Sequence, residues 1–172
     1  MGMTAAERQQ RIDQYERGPS RIHDALNLVP DEAVKWRPAA GKWSVHEVIC
    51  HCADSEMNGA MRLRYLLAEK DPVIVGYDQD AWARIFDYHS RPLEPALAVV
   101  EAVRAHTTAI LRALGDEAWL RAGRHTESGP YSVETWLRIY SDHLEGHARQ
   151  IERNVEAWRS GVTPAAPGPA GR

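Results

Sequence analysis

The sequence predicts an all-α fold, most simply a four-helix bundle, from three observations. Four long segments carry apolar residues at helical spacing, each segment is bounded by recognisable start or stop residues, and strand signals are nearly absent. The 172 residues, 44% hydrophobic and 26% charged, suit one domain with a substantial core, which we place at residues 1–159.

The first helix is expected from about Ala5 to Leu28, stopping before Pro30, because proline disfavours helical backbone in the residue before it. Ser44-Val45-His46-Glu47 opens the second with a capping box, a serine cap answered by glutamate three positions later. That helix continues to about Glu69 and is stopped by Asp71-Pro72. The third starts between Pro92 and Pro95, since proline suits a first helical turn, and ends at Leu114 before Gly115. The fourth opens after Gly129-Pro130, with Ser132 as its cap, and ends near Arg159.

The connections at 29–42, 70–91 and 115–130 exceed the roughly two to eight residues usual in a bundle. Long loops gathered at a bundle's ends commonly carry function. Asp80 to Tyr88 has the pattern of a short extra helix within the middle connection. Val73-Ile74-Val75 is too short and isolated to make a sheet, although a local extended piece fits. Residues 160–172 are rich in proline, glycine and alanine and are expected to be disordered.

A formal charge of −3 argues against a dedicated nucleic-acid binder, because neutralising phosphates needs a basic face. No apolar run approaches the roughly 20 residues of a membrane span. Met1 to Tyr15 is polar and charged, without a signal-peptide core, so a cytoplasmic location is the expectation. Cys50 and Cys52 flank His51 and would point about 200° apart on a helix, too divergent for a disulfide. They read as small buried or half-buried residues in a reduced compartment, with a catalytic thiol as the sharper alternative.

The fourth helix carries the most informative pattern. Val133, Trp136, Leu137, Tyr140, Leu144, Ile151, Val155 and Trp158 share one face, and Glu134, Arg138, Asp142, Arg149 and Glu156 share the other. His143 and His147 fall at the edge of the apolar face, four residues apart and therefore neighbours. Burying two unpartnered imidazoles is costly, so they need hydrogen-bond partners within the core or a shared transition metal. His51, on the flank of the second helix's apolar stripe, is the candidate third ligand, since bundles bring side chains of different helices to one core site. Three neutral imidazoles bind Zn²⁺ at roughly 2.0–2.1 Å and leave a position open, and the same donors suit Ni²⁺, Fe²⁺ and Cu²⁺. Leu144 rather than glutamate follows His143, so the metalloprotease motif and its general base are absent.

The stretch Trp43-Ser44-Val45-His46-Glu47 through His51 to Glu56 resembles the opening motif of the DinB-like superfamily. Tyr77-Asp78 with Trp82, Arg124-His125 with Gly129, and Ser132-Val133 with Trp136-Leu137 resemble its later segments. Tyr140, His143, His147 and Gln150-Ile151 resemble its closing signature, so the likeness spans about Arg11 to Trp158. The resemblance implies a bundle of up-down-down-up order, a metal held by His51, His143 and His147, and a homodimer. It also implies metal-dependent chemistry on a low-molecular-weight thiol, such as S-transfer or thiol-assisted isomerisation of an electrophilic substrate, with Zn²⁺ or Ni²⁺ as the metal.

A metal with an open position lowers the pKa of a bound thiol or water, so hydrolysis is an alternative. A non-catalytic metal module is another, although no fourth protein donor stands out by spacing. Arg62 has the fork geometry to hold a carboxylate, though a solvated arginine packed along its helix meets the same pattern. Tyr77 and Trp82 are candidates to line a substrate pocket, or aromatic packing under a long loop. Glu47 is a candidate to steady His51 from the next turn, though its capping role already accounts for it.

Overall fold

The computed structural model describes residues 2–161. Four long helices form the bundle: α1 (Ala5–Leu26), α2 (Val45–Ala68), α4 (Leu93–Arg112) and α6 (Val133–Arg159). Two short helices, α3 (Gln79–Ile85) and α5 (Asp116–Trp119), lie in the connections. The expected tail lies outside the described residues from 162 onward, and α6 closes at Arg159 with Ser160 as its cap.

Capping explains the helix starts. Thr4 and Ser44 each form a capping box with a glutamate three residues on, and the Ser132 side chain accepts from the Thr135 amide. The first helix ends two residues earlier than expected, at Leu26, because Leu28 and Val29 turn back to the carbonyls of Ala25 and Leu26. The short helix of the middle connection begins at Gln79, where Asp78 accepts from Ala81 N–H.

Side-chain pairings fix the helix directions. Glu134 meets the start of α1 at Met3, and Arg159 meets its end at Leu28, so α1 and α6 run parallel. His51 lies beside His147 and Gly59 beside Trp136, so α2 and α6 are antiparallel. Glu101 and Arg112 pair with His23 and Glu16, which sets α4 against α1. The order is therefore up-down-down-up, with α1 and α2 on one diagonal and α4 and α6 on the other.

Two apolar clusters fill the interior. Ile12, Leu63, Leu66, Trp136 and Leu137 build one, and Ile22, Val48, Ile49, Leu144 and Ile151 build the other. Each fully buried aliphatic side chain contributes about 1.5–3 kcal/mol to folding. Between the halves lie the buried charges of Glu56 and Arg104.

The structure corrects the expectation that Val73–Val75 makes no sheet. Residues Val73–Ile74 (β1) pair in parallel with β2 (Ala122–His125), which forms an antiparallel hairpin with β3 (Gly129–Ser132). These strands are two to four residues long, too short to show a period, and β1 finds its partner some fifty residues later. Glycine meets two different needs here: Gly129 has φ 79°, and a Cβ at Gly123 would lie 2.3 Å from the Pro72 carbonyl oxygen. The sheet closes one end of the bundle and sets His125 in a strand within the long connection at 115–130.

Candidate metal centre

The capping box at Ser44 fixes the start of α2 and so brings His51, almost two turns on, to the α6 face of the helix. There its ring centroid lies 5.5 Å from that of His143 and 4.9 Å from that of His147, while the α6 pair sits 4.6 Å apart. One nitrogen from each ring falls within a group whose members all lie within 4.8 Å of one another. Two ligands of a tetrahedral ion at roughly 2.0–2.1 Å are about 3.4 Å apart, so loading would draw the rings slightly together. No further histidine, cysteine, aspartate or glutamate joins this group among the described residues.

Hydrogen bonds orient two of the rings. Nδ1 of His143 is 3.2 Å from a Glu56 carboxylate oxygen, and Nδ1 of His147 is 2.9 Å from Oε1 of Gln150. Both partners are acceptors, so each Nδ1 carries a proton and each ring is oriented by it. Trp43 packs on the third ring with centroids 4.8 Å apart. Nδ1 of His51 is buried with no hydrogen-bond partner, so the protein alone does not satisfy this imidazole.

The electrostatics suit a cation. Burial, with the neighbouring imidazoles, pushes His51 down to about 2 and His147 down to about 4, so both are neutral ligands at neutral pH. Glu56 is fully buried, which opposes its charge, but the Arg104 guanidinium holds it down to about 2. It is thus an anion that strengthens the donor character of His143. Three imidazole nitrogen donors, one on an unpartnered buried ring and two on an oriented pair, fit a divalent transition ion.

The site opens on a cavity of about 330 Å³ whose walls include His51, Ser55, Arg62, Tyr77, His125 and His143. Ser55 Oγ lies 3.3 Å from His143 Nε2. Arg62 and Tyr77 are therefore beside the histidines, with the guanidinium 5.6 Å from the Tyr77 ring. Trp82 is not part of this wall; it packs behind Tyr77, with ring centroids 4.4 Å apart. A second cavity, of about 460 Å³ between Arg37, Trp43, Asp80 and Arg84, includes none of the three histidines.

Glu47 does not steady His51. Its carboxylate accepts from the Ser44 amide and hydroxyl and from Arg37, because a capping-box glutamate must fold back toward the helix start. The partner of a site histidine is instead Glu56, whose i+5 spacing from His51 hides its contact with a different helix. Cys50 and Cys52 are free and buried, and burial raises both thiols above their ordinary pKa, which removes the case for a thiolate nucleophile.

The DinB superfamily model matches residues 14–151. A protein of Oceanobacillus iheyensis named "Putative metal-dependent hydrolase" is 33% identical over 140 residues, covering 81% of each chain. YfiT of Bacillus subtilis bears the same description and is 29% identical over 141 residues, covering 81% of this chain and 79% of its own. Its solved structure, titled a metal-dependent hydrolase of "probable" standing with an unusual four-helix bundle topology, matches with TM-score 0.84 at 26% identity, over 94% of this chain and 91% of that one. A mycothiol-dependent maleylpyruvate isomerase shares the fold at TM-score 0.67 and 14% identity, over 84% of this chain and 60% of that one.

Proposed function

The chain belongs to the DinB superfamily, and from that premise we propose that it is a metal-dependent enzyme acting on small molecules. The observation that carries the reading is the convergence of His51, His143 and His147, with no fourth protein donor among the described residues, beside a cavity whose wall includes His51 and His143. These three side chains would hold the ion, and we take Zn²⁺ or Ni²⁺ from among the divalent ions that imidazole donors suit. A metal so held would lower the pKa of a thiol or a water at its remaining position. A structural staple would use four protein donors, so the three-donor set weighs against a purely structural role.

Our first reading is activation of a low-molecular-weight thiol, which then attacks an electrophilic substrate by S-transfer or thiol-assisted isomerisation. Glu56 and Gln150 orient their imidazoles, Ser55 stands beside His143, and Arg62 and Tyr77 offer contacts to substrate from the lining of the same cavity. Hydrolysis is a second reading, favoured by the names that the two relatives carry. A cytoplasmic homodimer belongs to the same reading, and sedimentation velocity on the loaded protein tests the association. Among the described residues, no helix is long and apolar enough to cross a membrane.

One experiment separates the readings. Metal-loaded protein is incubated with a panel of low-molecular-weight thiols and a generic electrophile, and in parallel with activated esters and amides. Metal-dependent thiol consumption identifies S-transfer, and metal-dependent ester or amide cleavage without thiol identifies hydrolysis. No turnover in either arm, from protein that binds one metal per chain, would return the chain to a non-catalytic module.

A further inference from the structure

Among the described residues, Arg62 is the one cation with a buried donor left without a partner. Its Nε–H is buried and has no acceptor, and only one of the five guanidinium N–H donors is used, by Nη2 to the Val75 carbonyl at 2.7 Å. No carboxylate among the described residues pairs with it, so neither its charge nor its Nε–H is answered by the protein. A buried, unengaged donor costs free energy that a solvated surface arginine would not incur. The guanidinium is fixed in place by the Val75 carbonyl and the Tyr77 ring, on the wall it shares with His51 and His143.

A second donor stands on the same wall. His125 is only 7% exposed, and its Nδ1 accepts from the amides of Glu127 and Ser128 at 3.2 and 3.4 Å. Burial and the charge of Arg62 hold the ring below its ordinary pKa, so it is neutral at neutral pH. The proton must then reside on Nε2, which makes no protein hydrogen bond. Glu127 is the one carboxylate on the wall, and it packs over Gly76 without pairing with Arg62. Glu56 is already neutralised by Arg104. Loaded with a divalent ion on neutral imidazoles, the cavity would carry an excess of positive charge.

We infer that Arg62 and His125 form an anion subsite for a carboxylate on the substrate or co-substrate, whose other end reaches the three-histidine centre. A planar carboxylate matches the free edge of the guanidinium, and its charge offsets that of the loaded site. The second point of attachment rests on the proposed metal reading; the first does not.

The test uses two probes that differ only at the far end: a four-carbon hydroxamate ending in carboxylate and the same hydroxamate ending in carboxamide. Hydroxamates ligate divalent metals whatever reaction the site performs. With Zn²⁺-loaded protein, the carboxylate probe should bind about tenfold tighter. That preference should vanish in Arg62→Met, with carboxamide binding unchanged, and should be partly kept in Arg62→Lys. Equal affinities in the native protein, or a preference that survives Arg62→Met, overturn the inference. Should neither probe bind, the metal reading fails, and the subsite is judged on metal-free protein by NMR. There, a saturable shift of the Arg62 Nε–H resonance on adding propionate upholds the subsite, and its absence refutes it.

Discussion

Nη1 of Arg104 donates at 2.6 Å to the main-chain carbonyl of Tyr15, the acceptor that Pro19 leaves without its helical N–H. An α-helix bonds the amide of residue i to the carbonyl of residue i−4, and proline has no amide hydrogen to give. The vacancy in α1 is therefore filled from α4. The same guanidinium grips both oxygens of Glu56, at 2.9 and 2.6 Å, and the Tyr140 carbonyl at 2.8 Å. One side chain, 1% exposed, thus joins all four long helices and fixes the carboxylate that orients His143.

Arg104→Met leaves the Glu56 charge buried without its counter-ion and the Tyr15 carbonyl without a donor. The expected loss is about 3–5 kcal/mol in urea unfolding. Adding Glu56→Leu should recover part of that loss, because the double variant buries no orphaned charge. A single variant as stable as the native protein would show the network to be dispensable.

Gly59 is the point where α2 meets the Tyr140 ring: an added Cβ would lie 2.3 Å from Cε1. Its carbonyl also accepts from Trp136 Nε1 at 2.7 Å. Alanine gains up to about 1 kcal/mol in helix propensity, but overpacking a closed interior costs more. Gly59→Ala should therefore be net destabilising by about 1–3 kcal/mol, seen as a lower urea midpoint.

Metal affinity should distinguish two glutamates of α2. Glu56→Gln keeps an acceptor for His143 but removes the anion, so affinity should fall about ten- to a hundredfold in competition with a chromophoric chelator. Glu47→Gln should leave affinity unchanged, since Glu47 serves Ser44 and Arg37, and should cost about 1 kcal/mol of stability. The reverse pattern would reassign the carboxylate that serves the site.

His143→Ala and His147→Ala should each purify without stoichiometric metal, measured by elemental analysis of untagged protein. Chelation of the native protein should lower its unfolding temperature, as a ligand at a hundred times its Kd adds about 2.7 kcal/mol to the folded state. Full metal content in either variant would falsify the ligand assignment.

Acid should destabilise the metal-free protein. His51 and His147, held down to about 2 and about 4 by burial, are neutral when folded but take up protons near 6.5 when unfolded. Their contribution is complete above about 6.5 and declines as the pH falls toward those folded values, by at most about 1.4 kcal/mol per pH unit for each ring. Glu56 adds in the same direction: its contribution is present above 4.5 and is lost as the pH falls through about 2. Denaturation midpoints at pH 7.5, 6 and 5 should fall in that order, and a flat profile would show that the rings are protonated in the fold.

The sequence by itself determined the four long helices, since capping residues and an apolar stripe are local properties that a helix expresses wherever it packs. It also singled out His143 and His147, because four residues on a helix is a fixed distance. The tertiary structure alone decided what those rings face. Glu56 reaches His143 from another helix, Arg104 answers a proline in a third, and His125 joins the cavity through a strand whose partner lies some fifty residues away. None of these contacts leaves a periodic trace, because they depend on how helices and strands come together across the bundle. The reach of a side chain to a neighbouring element is set by packing, and packing is where the site acquires its charge.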